Sequence, residues 1–322
     1  MKKHLLSILI PTYNRQNELL KNIELLSQYI RKLNCQEIVE IIISDNYSND
    51  NTITIVEKYI DKNKDIDIRL YKQFRNNGLE RNAVFVLSKS SAKYVMYLGD
   101  DDYLKQEYLE CVIYEITHNN TITCIVPSIV GVKTDGTITG TRDVNKPTRR
   151  YKRGFKSVIA LMDKGHQLSG ITFLREGTLK AYERGGLSNI YPFMFFVGFN
   201  CMRGKSLHLT KYPVNVTEGV KKDWGYKDDG LLGEIFNNTY MLFKSNFILR
   251  SIEEFVILKR QTWRFMMYFK KGLNIGILTY FKIIKLKNLT IFAKFAFTIL
   301  LAIRLFKKIF YKILLLPGKL KY

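Results

Sequence analysis

Asp100, Asp101 and Asp102 stand in a row directly after the apolar run Tyr94–Leu98 and Gly99. Adjacent carboxylates repel one another unless water solvates them or a cation joins them. Hard divalent cations such as Mg2+ or Mn2+ take carboxylate oxygens together with the phosphate oxygens of a substrate. A cation held here would bind a diphosphate and stabilise its charge as it departs. Taken alone, three consecutive Asp residues suit a solvated turn that caps the next helix equally well. Their position favours chemistry, because two other polar segments, Pro11-Thr12-Tyr13-Asn14 and Asp45-Asn46, also follow apolar runs directly.

The elements needed to bring these segments together are written in two alternating periods. Leu5–Ile10, Ile38–Ser44, Ile66–Tyr71, Tyr94–Leu98 and Ile122–Val126 are short apolar runs that read as strands buried on both faces. Between them, Asn14–Leu33, Asp50–Ile60, Gly78–Ser88 and Leu104–His118 carry apolar residues at helical spacing, as in Leu19, Leu20, Ile23, Leu26 and Ile30. Strand and helix alternating in this way predict an α/β fold, a mainly parallel sheet with helices on both faces. Ligands of such sheets bind beyond the carboxyl ends of the strands, which selects the three polar segments and sets them on one edge.

The pattern weakens after residue 130. Gly131–Thr141 suggests a hairpin, and Phe155–Asp163 a short helix after the basic cluster Arg149–Arg153. Gly170–Arg175 and Tyr191–Gly198 read as strands or loops. Tyr226–Phe243 reads as a helix opening at Asp228-Asp229.

Four segments in order resemble family 2 glycosyltransferases of the GT-A fold. They are Ile8-Leu9-Ile10-Pro11-Thr12-Tyr13-Asn14-Arg15, the stretch from Ile41 to Thr52, Arg75-Asn76-Asn77-Gly78 followed by Arg81-Asn82, and Tyr94 to Tyr103. The resemblance is strong over residues 5–126 and weak over 127–245. It implies a Rossmann-like GT-A sheet and a nucleotide-sugar donor, UDP-type for preference. By resemblance Pro11, Thr12, Tyr13 and Arg15 line the nucleobase and ribose pocket, Asp45 hydrogen-bonds the base, and Asn77 and Arg81 lie near the base and phosphates. Literal spacing pairs Asp100 with Asp102 as metal ligands. Aligning the apolar residues instead puts Gly99 on the family's first Asp, Asp101 on the second, and Asp100 beside the ribose. All three remain candidates for Mn2+ or Mg2+.

The family implies an inverting reaction, in which an acceptor hydroxyl attacks opposite the leaving nucleoside diphosphate and a carboxylate takes its proton. Relatives carry that carboxylate fifteen to twenty residues after a segment similar to Gly170–Arg175, but Leu187–Pro192 has none. The next acidic groups are Asp223, Asp228 and Asp229. Asp228 and Asp229 are the first candidates for the base, and Asp223 the runner-up, with Trp224 beside it to stack on an acceptor sugar. As a plain alternative, Asp228-Asp229 is a charge pair at a helix start.

The 322 residues carry 51 Lys+Arg against 29 Asp+Glu, a formal charge of +22. A hydrophobic content of 46% with only 6 prolines excludes a disordered or collagen-like chain. The charge is uneven: no Asp or Glu follows Glu254, and residues 255–322 hold 15 cations. Basic helices rich in aromatic, Ile and Leu residues suit an anionic membrane surface, where each Lys contributes about 1 kcal/mol. The uncharged runs there, such as Gly272–Phe281 and Phe295–Ile303, are far short of the roughly 20 residues that span a bilayer. A nucleic-acid tail would be less greasy.

Three regions are therefore expected: a nucleotide-sugar-binding half over 1–126, an acceptor half of the same catalytic domain over 127–254, and a membrane-associating helical tail over 255–322. The N-terminus lacks the pattern of a signal peptide. Cys35, Cys111, Cys124 and Cys201 match neither a zinc nor a disulfide framework. The combined expectation is a peripheral enzyme on the cytoplasmic face of the membrane that glycosylates a lipid-linked acceptor in surface-polysaccharide or O-antigen assembly. A nucleotidyltransferase is one rival, although it needs a Gly-rich loop after the first strand. A non-catalytic nucleotide-sugar-binding scaffold is the other.

Overall fold

A computed structural model describes residues 4–187, 189–219 and 234–314. The chain divides into two compact units, Met1–Gly225 and Tyr226–Tyr322.

The first unit is built on one nine-stranded sheet. Its strands are β1 (Leu6–Thr12), β2 (Val39–Asp45), β3 (Asp67–Lys72), β4 (Tyr94–Tyr97), β5 (Ile122–Lys133), β6 (Ile138–Arg142), β7 (Arg149–Tyr151), β8 (Thr172–Leu174) and β9 (Lys205–Glu218). Their order is β3-β2-β1-β4-β8-β5-β9-β7, with β6 paired to β5. The run β3-β2-β1-β4 is parallel throughout. β8 is inserted antiparallel between β4 and β5. All seven residues of β1 and of β2 are buried, the polar Ser7 of β1 donating to Glu40 of β2, so both read as mainly apolar runs.

Four helices alternate with the first strands: α1 (Gln16–Lys32), α2 (Thr52–Lys62), α3 (Gly78–Lys89) and α4 (Gln106–His118). The stripe Leu19, Ile23, Leu26 and Ile30 of α1 packs with Ile8, Ile10, Ile41 and Ile43 in the main core. α2 starts two residues later than its periodicity suggests. The Asp50 side chain accepts the N–H of Thr52 at 3.0 Å and so stands ahead of the first turn. The later part of this unit adds α5 (Phe155–Leu161), a 3-10 turn (Met162–His166), α6 (Thr178–Gly185) and α7 (Pro192–Cys201).

Two readings of the sequence are corrected here. Tyr191–Gly198 is neither strand nor loop but most of α7, a helix in which nine of ten residues are buried. A helix covered on all sides has no polar face and so no period to read. Pro192 at its first position was the available signal. The strand expected at Ile122–Val126 runs on to Lys133, through Pro127, by way of a register shift against β9. The expected hairpin forms from β5 and β6, closed by the Lys133 N–H on the carbonyl of Thr137 at 2.9 Å.

The second unit is helical. α8 (Ile235–Phe243), α9 (Phe247–Lys271), α10 (Leu273–Ile284) and α11 (Ile291–Leu314) are its elements. α8 occupies the end of the helix expected over Tyr226–Phe243; residues 220–233 lie outside those described. α9 continues through residue 254, where the basic tail was expected to begin. No helix among the described residues is long and apolar enough to cross a membrane.

Candidate active site

β2, β1 and β4 are neighbours and parallel, so their carboxyl ends open on the same edge of the sheet. Thr12 and Asp45, the last residues of β1 and β2, are partners in register. Asp100 follows β4 by three residues, and Thr12 Oγ1 donates to Asp100 Oδ2 at 2.7 Å. The first and third polar segments therefore meet through a direct side-chain contact.

The second segment is bound into the same edge. Asp45 is fully buried and accepts both the N–H of Ser48, at 2.9 Å, and the Ser48 hydroxyl. Ser48 Oγ in turn accepts the N–H of Asn14 at 2.8 Å, while Asn14 Oδ1 accepts the N–H of Asn49 at 2.8 Å. Asn14 and Tyr47 hold left-handed backbone (φ 52° and 70°), an uncommon state for residues other than Gly. These two loops fix each other. Asn46 extends the lock by accepting the N–H of Asn77 at 2.9 Å and donating to Asn76 Oδ1 at 2.8 Å. Pro11 is buried, Tyr13, Arg15 and Asn77 are half-buried, and Arg81 is exposed on α3 beside the buried Asn82.

The acidic triplet divides into two kinds of carboxylate. Asp102 is 4% exposed. Its Oδ1 accepts the N–H of Thr217 at 2.9 Å, and its Oδ2 accepts Gln167 Nε2 at 3.2 Å and the hydroxyl of Ser169. Both oxygens are thus engaged by protein donors. Asp100 and Asp101 are only half-buried. Burial, and after it the charge of Asp101, push the Asp100 carboxyl up to about 7; the Thr12 hydroxyl and the charge of Arg15 pull the other way. Two crowded carboxylates on a strand end, one raised this far, form a donor set that a hard divalent cation fits.

Several residues that hold this segment carried no motif. Asn22, buried on α1, donates through Nδ2 to the carbonyls of Gly99 at 2.9 Å and Asp102 at 2.8 Å. Ser169 Oγ accepts the N–H of Gly99 at 2.9 Å. A Cβ on Gly99 would lie 2.9 Å from Asp102 Oδ2 and 3.2 Å from Ser169 Oγ, so a side chain here would displace Asp102 from its hydrogen bonds. The one available signal was Asn22 itself, a polar residue inside the apolar stripe of α1. Asp223, Trp224, Asp228 and Asp229 lie outside the described residues.

A second ionic cluster forms around Asp143. His208 on β9 (3% exposed) has Nε2 3.4 Å from Asp143 Oδ2, and Asp143 also pairs with Lys146 and Lys164, each at 2.6 Å. Burial alone would raise the Asp143 carboxyl, but the hydrogen bonds of Lys146 and Lys164 outweigh it and hold it well below the usual range. Burial, then the charge of Lys164, lower His208 to about 4.

Residues 7–189 match the family model described as glycosyl transferase family 2. Among solved structures, Staphylococcus aureus TarS 1–349 in complex with UDP-GlcNAc aligns over 87% of this chain and 81% of its own, with a TM-score of 0.64 at 14% identity. The mannosyltransferase PcManGT from Pyrobaculum calidifontis, in complex with GDP-Man and Mn2+, aligns over 95% and 82%, with a TM-score of 0.55 at 13% identity. These likenesses show the GT-A fold. The GalNAc(5)-diNAcBac-PP-undecaprenol beta-1,3-glucosyltransferase of Campylobacter jejuni is 32% identical over 103 residues, 31% of this chain and 30% of that protein. The chain spans between 13% and 41% of the length of the curated relatives it matches.

Proposed function

The chain belongs to glycosyl transferase family 2, and from that premise we propose that it moves a sugar from a nucleotide-diphosphate sugar, UDP-type for preference, to a lipid-linked glycan acceptor in surface-polysaccharide assembly. The observation that carries this reading is the 2.7 Å hydrogen bond from Thr12 to Asp100, which joins the expected nucleoside-binding segment to the expected diphosphate-binding one. Residues 1–126 form the donor half in this reading, 127–254 the acceptor half, and 255–322 the membrane-associating part on the cytoplasmic face.

Pro11, Thr12, Tyr13, Arg15 and Asp45 take the nucleoside, with Asn77 and Arg81 at its edge. Asp101 and Asp100 face the diphosphate, and a divalent cation bound by them supplies charge stabilisation for the departing nucleoside diphosphate. Asp102, whose oxygens already accept three protein donors, positions the segment instead. Arg15 places its charge close enough to Asp100 to lower that carboxyl. The acceptor proton goes to a carboxylate from Asp229, Asp228 or Asp223, with Trp224 against the acceptor sugar, and the transfer inverts the anomeric centre.

The test is hydrolysis and transfer from UDP-, GDP-, dTDP- and CDP-sugars by the full chain with Mn2+. We expect turnover of one donor class and at least about a hundredfold loss in Asp101→Ala, the order of one electrostatic stabiliser. Absence of both binding and turnover with every donor overturns the reading. The name of the Campylobacter jejuni relative, GalNAc(5)-diNAcBac-PP-undecaprenol beta-1,3-glucosyltransferase, gives it a lipid-linked acceptor. It is the support for a polyprenyl-diphosphate acceptor here.

A further inference from the structure

Large exposed apolar side chains are confined almost wholly to the helical unit. Of the twenty among the described residues, sixteen lie between Phe247 and Phe306, and only four come before them. α11 shows how they are arranged. Ala293, Phe297 and Leu301, four apart, are 0–4% exposed and form its packed face. Phe292, Phe295, Ile299, Ile303 and Phe306 recur every three or four residues and are 44–70% exposed. This helix is therefore apolar on two faces. One is covered by its own unit, and the other forms a stripe about 21 Å long at 1.5 Å per residue. α10 adds Leu273, Leu278 and Phe281, at 51–66% exposure.

Exposed apolar surface on this scale marks an interaction site, and the charge around it selects the partner. No acid occurs after Glu254, while Lys282, Lys285, Lys287, Lys294, Arg304 and Lys307 belong to or flank these two helices. A second copy of the chain would set fifteen cations against fifteen with no acid between them. A nucleic acid would satisfy the charge and leave the Phe and Ile side chains in water. An anionic bilayer satisfies both: acyl chains take the apolar stripe and headgroups take the cations.

We propose that α10 and α11 lie flat in the headgroup layer of an anionic membrane, with Phe292, Phe295, Ile299, Ile303 and Phe306 turned into the acyl boundary. No described helix is long and apolar enough to cross, which fits a helix pair lying on one leaflet. This deepens the membrane-side placement proposed above. Its test reads binding rather than sugar transfer, so either can fail alone.

The experiment is co-sedimentation of the full chain with vesicles of phosphatidylcholine alone, or of phosphatidylcholine with about one third phosphatidylglycerol. Binding at least about tenfold tighter to the anionic vesicles is expected, weakening as salt rises. Phe295→Asp combined with Ile299→Asp should lower that affinity at least about tenfold with melting temperature and donor turnover held, since both side chains are exposed. Lys282→Glu with Lys285→Glu and Lys287→Glu should lower it through charge alone, which keeps the proposal testable if the first variant misfolds. Equal affinity for both vesicle types, or no binding to either, overturns it. So does a solution dimer that Phe295→Asp disperses, because the face would then belong to a second copy.

Discussion

Asp102 Oδ1 accepts the backbone N–H of Thr217 at 2.9 Å, across 115 positions of sequence, and the Thr217 hydroxyl donates to the carbonyl of Asp101. The end of β9 is thereby fastened to the acidic triplet. Tyr103 and Asn215 reinforce the junction with reciprocal backbone hydrogen bonds of 2.9 and 3.0 Å. The segment expected to face the donor and the strand that leads toward the expected base are thus one structural piece.

Asp101 and Asp102 should consequently fail in different ways. Asp102→Ala leaves the Thr217 N–H, Ser169 and Gln167 without their acceptor in a buried place. A loss of about 2–3 kcal/mol is expected, seen as a lowered melting temperature along with lost turnover. Asp101→Ala should cost less stability than Asp102→Ala, since it removes a carboxylate that raises the Asp100 carboxyl, while turnover falls and added Mn2+ does not restore it. The same stability loss in both variants would sink the distinction.

Asn22 offers a test of the same segment from the opposite side. Asn22→Leu keeps the branched shape, with slightly more bulk, but removes the donor to the carbonyls of Gly99 and Asp102. The expected cost is about 1–3 kcal/mol, with donor KM raised more than the rate is lowered, because the triplet loses its placement and keeps its carboxylates. Urea denaturation and donor titration check the two halves, and an unchanged KM would count against a positioning role.

The donor side was legible because the physics there is local. Each buried parallel strand is a short, mainly apolar run, and each run ends at a polar segment, so the sequence pattern alone assigns Thr12, Asp45 and Asp100 to one edge. What could not be read is long-range. Thr217 carries no motif, and its partner Asp102 is 115 residues away. α7 hides its helical period by being buried all round. The close packing at Gly99, where a Cβ would meet Asp102 and Ser169, has no sequence signal either. The basic tail was legible as greasy and cationic, but which apolar residues face outward required the packed face of α11.

Glu254, the last acidic residue of the chain, should be a stability determinant of the helical unit. It is fully buried on α9. Its Oε2 accepts the N–H of Thr290 at 2.9 Å and the Thr290 hydroxyl at 2.6 Å, just before α11 begins, and its Oε1 accepts Arg250 Nε at 2.9 Å. Glu254→Ala leaves the Arg250 guanidinium only its bond to the Asn288 carbonyl and strands a backbone donor, with an expected loss of about 3 kcal/mol. Glu254→Gln retains one acceptor oxygen and should lose less. Chemical denaturation followed through helical circular dichroism measures both, and equal losses would show that shape rather than charge matters there.

Acid should destabilise the first unit through His208 before it does so through carboxylates. The folded protein holds this side chain neutral, with its pKa lowered from 6.5 to about 4. A group lowered on folding contributes stability that is complete above its unfolded pKa and is lost as pH falls toward the folded one. The window is therefore pH 6.5 down to 4, and the loss across it is about 3 kcal/mol at 1.36 kcal/mol per unit. Asp143 acts in the same sense, but only below its ordinary value of 3.8, because its own carboxyl is held lower still. His208→Gln removes the titration and keeps a polar group beside Asp143. Asp100, pushed up to about 7, gains stability as pH falls through the same window and opposes this loss, so the reading is the difference between the two proteins: unfolding free energies at pH 7, 5.5 and 4 should fall in the wild type relative to the variant by about 3 kcal/mol in all. Parallel slopes in the two proteins would assign the acid sensitivity to other groups.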